Sequence, residues 1–360
     1  MKITQPVGIR AYGSYLPERA LALSEIEQAH NKKPGTVSRS LKVNQKSVPD
    51  VDEDTATIST AAAHQALERA EQTAKDQKSN FSLKTVGSLF IGSESHPYAV
   101  KPTGTIVAQA LGLSENLSLA DLQFACKAGT QALQIVSSYV LSGFCLSGLA
   151  IGADTAQAEP GDALEYTAAA GGAAFLIGSE LLLAELKATN SVATDTPDFW
   201  RKPGEEYPQH AGRFTGEPAY FYHVTASARK LLQEVDLSPE DIDYCVFHTP
   251  NGKFPRKAAS KLGFSQNQLQ PSLVVEKVGN TYAGASMLAL AAVLDQAKAE
   301  ETILVTSYGS GAGADSFLFT TTSLLPKVRK KWRDSVLDQI SEMENLTYQQ
   351  YQQVMKDRHH

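Results

Sequence analysis

Cysteine is scarce in this chain: of its 360 residues only Cys126, Cys145 and Cys245 are cysteines. Their odd number and wide spacing exclude a disulfide framework and a cysteine-based zinc site. The eight histidines do not fall at ligand spacings either, so the sequence predicts no metal. We interpret His359 and His360, which end the chain, as the remnant of a purification tag and exclude them from any site.

An excess of basic residues and long apolar runs are also missing. Lys and Arg number 33 against 39 Asp and Glu, and the net charge of −6 argues against binding to nucleic acid or to an anionic membrane. No apolar run approaches the roughly 20 residues that span a bilayer, and the first residues lack the apolar segment of a signal peptide. We therefore expect a cytoplasmic protein, whose 42% hydrophobic content suffices for a large buried core.

Strand-like and helix-like stretches alternate along the chain. Short apolar runs predict strands at residues 7–17, 86–95, 146–156, 243–250 and 302–311. Helical patterns occupy residues 52–72, 253–264 and 285–300, a helix is expected from about Ala219, and residues 124–143 are predicted to be a strand end followed by a helix. This alternation predicts an α/β fold with parallel strand pairing. The polar segment 189–218, rich in Pro and Gly, is predicted to be a long loop with a binding or lid role.

Three of these elements recur at one constant separation of 155 residues. The matched pairs are Ser88 with Asp243, Ala128 with Ala283, and Leu149 with Leu304. A constant offset predicts two copies of one α/β unit; the alternative is two generic βα units.

The offset also relates residues that could carry chemistry. Cys126 corresponds to Thr281, which follows Asn280, and Ser93, which precedes Glu94, corresponds to His248. If the two copies surround a pseudo-two-fold axis, we expect Cys126, Asn280, His248 and Glu94 to converge from separate strand ends at one site.

Cys126 directly precedes a predicted helix, whose N-terminal amides would lower the pKa of the thiol and favour a nucleophile that holds an acyl group. A buried structural cysteine is the alternative. Glu94 and His248 end matching strands and could supply a base and a proton donor. Cys145 and Cys245 lie in apolar strand patterns and are predicted to be core residues.

Two further stretches could bind substrate. Asn280 lies between glycines before a helix, where an amide can hydrogen-bond a carbonyl or an oxyanion. The basic start of the helix at residues 253–261 is either a solvated face or a site for the phosphates of a long anionic ligand.

Several motifs together resemble the archaeal-type 3-hydroxy-3-methylglutaryl-CoA (HMG-CoA) synthases. They run in the same order from about residue 5 to 325 and include KSVPDVDEDTATI, GSESHPYAVKPTG, FACKAGTQAL, GDALEYTAAAGGAA, GRFTGEPAYF, HTPNGKFPRKAASKLGF, VGNTYAGAS and SYGSGAGADSF. The resemblance implies a thiolase fold, with two pseudo-equivalent halves, each a five-stranded sheet, in a layered αβαβα arrangement. It suggests an N-terminal half over residues 1–170 and a C-terminal half over 171–326. The charged tail over 327–360 resembles the family little, but its own pattern predicts a helix with Leu337, Ile340 and Met343 on one face, which either packs on the fold or binds a partner.

The resemblance also implies a reaction. Cys126 matches the nucleophile that takes the acetyl group from acetyl-CoA, and Glu94 matches the general acid/base that removes a proton from the acetyl methyl group. The enolate would attack the ketone of acetoacetyl-CoA, which His248 would orient and either polarise or protonate. Water would then hydrolyse the enzyme thioester and release HMG-CoA. This product would enter the mevalonate pathway.

Binding positions and partners follow from the same resemblance. The matched positions around substrate and CoA are Thr167, Thr215, Lys253, Lys257, Asn280 and Ser310. Lys257 stands where the family has Arg, and the neighbouring Arg256 could substitute. No bound cofactor is implied; acetyl-CoA and acetoacetyl-CoA are substrates. A homodimer is expected, and a complex with an acetoacetyl-CoA thiolase and a small OB-fold, zinc-ribbon protein is possible.

Two other functions fit parts of the pattern. One is a related thiolase-fold acyltransferase or condensing enzyme of polyketide or other secondary metabolism, whose acceptor sits on a carrier protein. Initiating ketoacyl synthases use Cys, His and Asn, so Glu94 argues against that class. The other is a non-catalytic subunit of an acyltransferase complex, against which the intact set of Cys126, Glu94 and His248 argues.

Overall fold

The structure, a computed structural model, describes residues 1–156 and 158–358, and of Arg213 the backbone only. The two terminal histidines interpreted as a tag remnant lie outside this range. Within the described part of the chain, no helix has the length and apolarity needed to cross a membrane.

The strands are β1 Gly8–Tyr15, β2 Arg19–Ala22, β3 Gln45–Val48, β4 Val86–Gly92, β5 Ser118–Leu122, β6 Ser147–Asp154, β7 Gly171–Gly178, β8 Ala184–Ala193, β9 Phe199–Trp200, β10 Gln209–His210, β11 Tyr244–Phe247, β12 Thr302–Thr306, β13 Gly313–Thr321 and β14 Glu344–Leu346. The helices are α1 Leu23–Ala29, α2 Val37–Leu41, α3 Thr55–Asp76, α4 Thr103–Ala110, α5 Ala128–Leu141, α6 Phe221–Val235, α7 Lys253–Leu262, α8 Gln266–Leu269, α9 Val275–Val278, α10 Ala285–Leu294, α11 Leu325–Arg329, α12 Val336–Glu342 and α13 Tyr348–Asp357. The strands and helices expected from the alternating pattern are therefore present.

Nine strands form one sheet in the order β11-β12-β13-β8-β1-β7-β6-β4-β5. The pairing repeats in the two halves: β4 with β6 and β11 with β12 are parallel, and β6 with β7 and β12 with β13 are antiparallel. The halves join where β1 pairs with β8. The predicted duplication is thus visible in strand order and direction.

Alternating side chains place apolar residues on both faces of each half-sheet. In β4, Leu89 and Ile91 face a cluster with α3, whereas Phe90 faces the central cluster that contains α5 and α10. In β11, Cys245 and Phe247 face a third cluster with α6 and α7, whereas Val246 faces the central one. Helices therefore cover the outer face of each half-sheet and fill the space between the two half-sheets, which confirms the αβαβα layers. All ten residues of α10 are buried, as a helix in the central layer requires.

The second half departs from the predicted five strands. Its part of the sheet has four, β8 and β11–β13, because the residues that would match β5 under the 155-residue offset, 273–277, lead into α9 and form most of it. The division of the chain at residue 170 stays a prediction; β7 begins at Gly171 and pairs with β6 and β1, so by strand pairing the first half would extend to Gly178.

Two other expectations are corrected. The segment 189–218 is not wholly a loop, since β8 continues to Ala193 and β9 pairs with β10 in a short hairpin. In the tail, Val336 and Ile340 are the buried residues of α12 while Leu337 is exposed, because residues four apart lie on one face of the helix. The tail also contains β14, which pairs with β2.

Candidate active site

Cys126 and Glu94 are in direct contact. The thiol lies between β5 and α5 and donates a hydrogen bond to Glu94 Oε1 at 3.2 Å. Ala125, the preceding residue, adopts a φ of +42°, an unfavourable conformation for a residue with a Cβ. Such backbone strain persists where the surrounding structure enforces it, often at functional sites. The two residues predicted as nucleophile and base are therefore brought together.

Burial controls the ionisation of this pair. It raises the pKa of the Cys126 thiol well above its ordinary range, and the neighbouring Glu94 carboxylate adds to the rise. Burial and the charge of Asp154 likewise raise the pKa of Glu94. The expected lowering of the thiol pKa is wrong, because burial and the neighbouring Glu94 carboxylate both raise it. Because the pKa of Glu94 is raised to about 8, its ionised form is a stronger base than an exposed carboxylate, and this form can take the thiol proton.

Asp154, which was not predicted from the sequence, fixes the backbone of Glu94 through hydrogen bonds. It is fully buried at the end of β6, beside the end of β4. Its Oδ1 accepts hydrogen bonds from the Ser93 and Ser95 hydroxyls, both at 2.6 Å, and from the Glu94 backbone N–H at 2.9 Å. Oδ2 accepts from the Ala283 N–H at 2.7 Å, which ties the two halves together. Its position at the carboxyl end of a strand was the available signal.

His248 follows β11 and is held through its backbone. Its N–H donates to the Thr306 carbonyl at 3.0 Å, and its own carbonyl accepts from the Tyr220 hydroxyl at 2.7 Å. The ring is buried, and its Nδ1 has no hydrogen-bond partner among the described residues. Burial lowers the pKa of His248 to about 3, so the imidazole is neutral near pH 7.

Asn280 belongs to a turn that enters the site from the second half. Its N–H donates to the Thr167 carbonyl at 2.7 Å, and its side-chain Oδ1 accepts from the Tyr282 N–H at 2.9 Å. This arrangement leaves the side-chain NH2 as the group that can donate to a ligand. The turn approaches closely because Gly129 and Gly152 lie beneath it: a Cβ on either would collide with the Ala283 carbonyl.

Two cavities meet at this point. The smaller, of about 230 Å³, has a largely apolar lining that includes six of the predicted site residues: Cys126, Thr167, Thr215, His248, Asn280 and Ser310. The larger, of about 560 Å³, has a more polar lining that includes Glu94. The thiol and the carboxylate thus bond to each other across the boundary between an apolar and a polar space.

The two predicted CoA-binding lysines lie apart from these residues. Lys253 and Lys257 are exposed on α7 and line neither cavity. Lys257 Nζ is 3.2 Å from Glu217 Oε1, so that lysine already has a carboxylate partner. Arg256, suggested as a substitute for the family arginine, is paired with Glu276 Oε1 at 2.5 Å. Of the other cysteines, Cys245 is buried as expected, whereas Cys145 is half-buried.

Comparisons with known proteins identify relatives along nearly the whole chain. A hydroxymethylglutaryl-CoA synthase from Methanopyrus kandleri is 50% identical over 98% of this chain and 98% of its own length. One from Methanocaldococcus jannaschii is 52% identical over 90% of this chain and 91% of its own. The chain belongs to the hydroxymethylglutaryl-CoA synthase family. The resemblance in the motifs and the predicted acyltransferase class are thereby confirmed.

Other comparisons agree with this family on the fold. The family model for the C-terminal region of 3-oxoacyl-(acyl-carrier-protein) synthase III matches residues 232–321. A solved structure of MvaS in complex with 3-hydroxy-3-methylglutaryl coenzyme A has a TM-score of 0.86 at 22% identity, covering 98% of this chain and 92% of that one. An HMG synthase of the curacin biosynthetic pathway has a TM-score of 0.83 at 22% identity, covering 98% and 88%. The close relatives do not favour the secondary-metabolism or non-catalytic alternatives.

Proposed function

We propose that this chain condenses acetyl-CoA with acetoacetyl-CoA and water to HMG-CoA and CoA through an acetyl thioester on Cys126. The observation that carries this assignment is the 3.2 Å contact between Cys126 Sγ and Glu94 Oε1. It supplies a nucleophile with its base, beside a cavity that also contains a neutral histidine and a side-chain amide.

Acetylation begins from the hydrogen-bonded pair. Glu94 takes the thiol proton while Cys126 Sγ attacks the carbonyl carbon of acetyl-CoA. The new Sγ–C bond replaces the C–S bond to CoA, and the proton returns to the departing sulfur. The raised pKa of Glu94 suits this step, because a buried carboxylate holds the proton more tightly than one in water.

Condensation uses the same carboxylate. With the thiol acetylated, Glu94 removes a proton from the acetyl methyl group, and the enolate carbon attacks the ketone of acetoacetyl-CoA. His248 faces this step as a neutral imidazole, since burial lowers its pKa to about 3. A neutral ring polarises the ketone by a hydrogen bond and is a poor source of a full proton. The ketone oxygen of the adduct therefore takes the proton that Glu94 removed from the methyl group, which leaves Glu94 ionised again. We therefore assign His248 the role of polarising the ketone. Asn280 lines the same cavity, and its side-chain NH2 can donate a hydrogen bond to a substrate carbonyl oxygen.

Release of HMG-CoA requires water at the thioester. Glu94 lines the more polar cavity and can take a proton from a water molecule on that side while its oxygen attacks the thioester carbonyl. The Sγ–C bond then breaks, and the proton passes from Glu94 to the Cys126 sulfur. Thr167, Thr215 and Ser310 line the apolar cavity and would contact the acyl groups. Lys253 and Lys257 on α7 would attract the CoA phosphates from outside it.

A homodimer would bury the one open edge of the sheet. At one end β11 is covered, since Gln268 donates to the Ile242 carbonyl and Ser272 to the Cys245 carbonyl. At the other end β5 has no neighbour in the described chain.

Exposed apolar side chains flank β5 at both ends. Phe144 and Leu146 are exposed beside Ser118, the first residue of β5. Tyr98 and Val100, the latter 93% exposed, lie between His96, which contacts the Leu122 carbonyl, and Thr103, whose N–H donates to Asp121. Such a surface fits a second copy of this chain. The double substitution V100K/F144K should give a monomer by sedimentation, and an unchanged dimer would contradict this interface.

The cellular setting extends the same proposal. We place the enzyme in the cytoplasm, as a step of the mevalonate route to isoprenoids. A complex with an acetoacetyl-CoA thiolase and an OB-fold, zinc-ribbon protein stays a prediction, which co-purification with the full chain would test.

The test of function is direct. The purified protein is incubated with acetyl-CoA and its intact mass is measured, with Cys126→Ala as the variant and Cys145→Ala as a matched thiol control. Acetoacetyl-CoA is then added. We expect one acetyl group that depends on Cys126 and is discharged as HMG-CoA. Acetylation without HMG-CoA would indicate another acceptor, and no acetylation would contradict the proposal.

A further inference from the structure

A wall of two aromatic rings separates the two cavities. Among the described residues, Phe199 and Tyr282 are the ones that line both. Their ring centroids are 6.5 Å apart, with planes inclined by 40°. Tyr282 belongs to the small buried cluster that contains Cys126, and Phe199 packs against that cluster. The wall therefore stands beside the nucleophile.

The backbone around Phe199 is fixed. Phe199 pairs with His210 in the β9–β10 hairpin. The preceding residue, Asp198, is fully buried and accepts hydrogen bonds from the Tyr308 hydroxyl at 2.5 Å and the Gly311 N–H at 2.9 Å. Because these bonds anchor the hairpin to the second half, the ring cannot retreat by a simple movement of the strand.

The space on the two sides of the wall is unequal. The cavity that contains Cys126 measures about 230 Å³ and must also receive part of the CoA thioester. The cavity beyond the wall measures about 560 Å³. The buried cluster around Cys126 is small, and its other buried members are Ala158, Ala168 and Tyr282.

We propose that Phe199 limits the length of the acyl group that Cys126 accepts, because its ring closes the way from the thiol to the larger cavity. This inference rests on the proposed acyl-Cys126 intermediate. A smaller residue at this position would open the wall and let a longer chain extend into the larger space.

The chemistry of acylation does not change with chain length. In each case the Sγ–C bond forms, the C–S bond to CoA breaks, and the thiol proton passes by way of Glu94 to the leaving sulfur. Differences in acylation rate along a series of saturated acyl-CoA thioesters therefore report the space beside the thiol.

The experiment compares initial rates of Cys126 acylation by acetyl-, propionyl-, butyryl- and hexanoyl-CoA, measured by intact mass. The variants are Phe199→Ala and Phe199→Leu. Trp200→Ala is the matched control, since Trp200 is the next residue of the same strand and lines only the larger cavity. We expect the butyryl-to-acetyl rate ratio to rise by at least about 10-fold in F199A, the scale on which pockets discriminate methylene groups. The rise should be smaller in F199L and absent in W200A.

Each outcome bears on the proposal. F199A that is acetylated but keeps the wild-type length profile would overturn it, as would an equal gain in W200A. If F199A does not fold, F199L decides: an unchanged ratio there overturns the proposal. A wild-type protein that gains no acetyl group on Cys126 would instead contradict the proposed function.

Discussion

Replacing Asp154 with Asn should weaken both the fold and the base. Asp154 receives four donors, three on Oδ1 and the Ala283 N–H on Oδ2. An asparagine amide that keeps Oδ1 in place turns its NH2 toward the Ala283 N–H, so two donors face each other. An unsatisfied buried donor costs about 1–3 kcal/mol. Burial also raises the pKa of Asp154, so removal of its buried charge offsets part of any further loss of hydrogen bonding. We expect D154N to lower the free energy of unfolding by about 1–3 kcal/mol.

The same substitution should move the pH dependence of acetylation. The charge of Asp154 raises the pKa of Glu94, so its removal lowers that pKa. Because Glu94 must be ionised to take the thiol proton, the acid limb of the Cys126 acetylation rate should shift to lower pH. Urea denaturation gives the first quantity, and intact mass across a pH series gives the second.

Asp295→Asn is the matched control. Asp295 is half-buried and accepts hydrogen bonds from the Tyr12 hydroxyl at 2.8 Å and the Val336 N–H at 2.9 Å, but it lines neither cavity. D295N should lower stability and leave the acid limb in place. A D154N protein within about 0.5 kcal/mol of wild type, the range of ordinary surface substitutions, would refute the structural argument. An acid limb that does not move would refute the electrostatic one.

Three further predictions follow from the site. His248→Ala should retain acetylation of Cys126 but lower the condensation rate about 10²–10³-fold, as for removal of one oxyanion donor. Because the pKa of His248 is lowered to about 3, the pH profile of the wild-type condensation rate should show no inflection from this histidine between about pH 5 and 8. An inflection in that range that H248A abolishes would contradict the assignment. Glu94→Gln should stop HMG-CoA formation yet stabilise the fold. The wild-type protein loses stability as the pH rises from the unfolded-state pKa of Glu94 to its raised folded-state pKa, so the stabilisation by E94Q should grow over that range. Denaturation of both proteins at acid and at neutral pH checks the sign. Gly152→Ala should lower the free energy of unfolding by about 1–3 kcal/mol through overpacking and should displace the Asn280 turn. A lower Tm and slower condensation are the expected results, and an unchanged Tm would contradict this prediction.

The fold could be predicted largely from periodicity and duplication. Buried strands and amphipathic helices leave clear patterns, and the shared 155-residue offset located the matching strand ends. Residues 273–277 were beyond that reasoning, because a short apolar run does not distinguish a strand from a helical turn that covers a sheet edge. The β9–β10 hairpin was hidden for a similar reason, since two-residue strands have no period.

The site was predictable where chemistry-bearing residues end strands. Cys126, Glu94, His248 and Asn280 do converge in the structure. Asp154 escaped notice because its role is to accept four hydrogen bonds, and partners so distant in sequence cannot be read from one motif. The predicted direction of the pKa shift of the Cys126 thiol was wrong, because desolvation depends on burial in the folded protein.

The most direct measurement follows one acetyl group through the enzyme. The protein is acetylated with carbon-13 acetyl-CoA, free acetyl-CoA is removed, and unlabelled acetoacetyl-CoA is added for a single turnover. The account predicts labelled HMG-CoA in an amount equal to the acetyl-Cys126 consumed. Label that remains on the protein, or that leaves only as acetate, would contradict an acetyl-Cys126 intermediate that condenses with acetoacetyl-CoA.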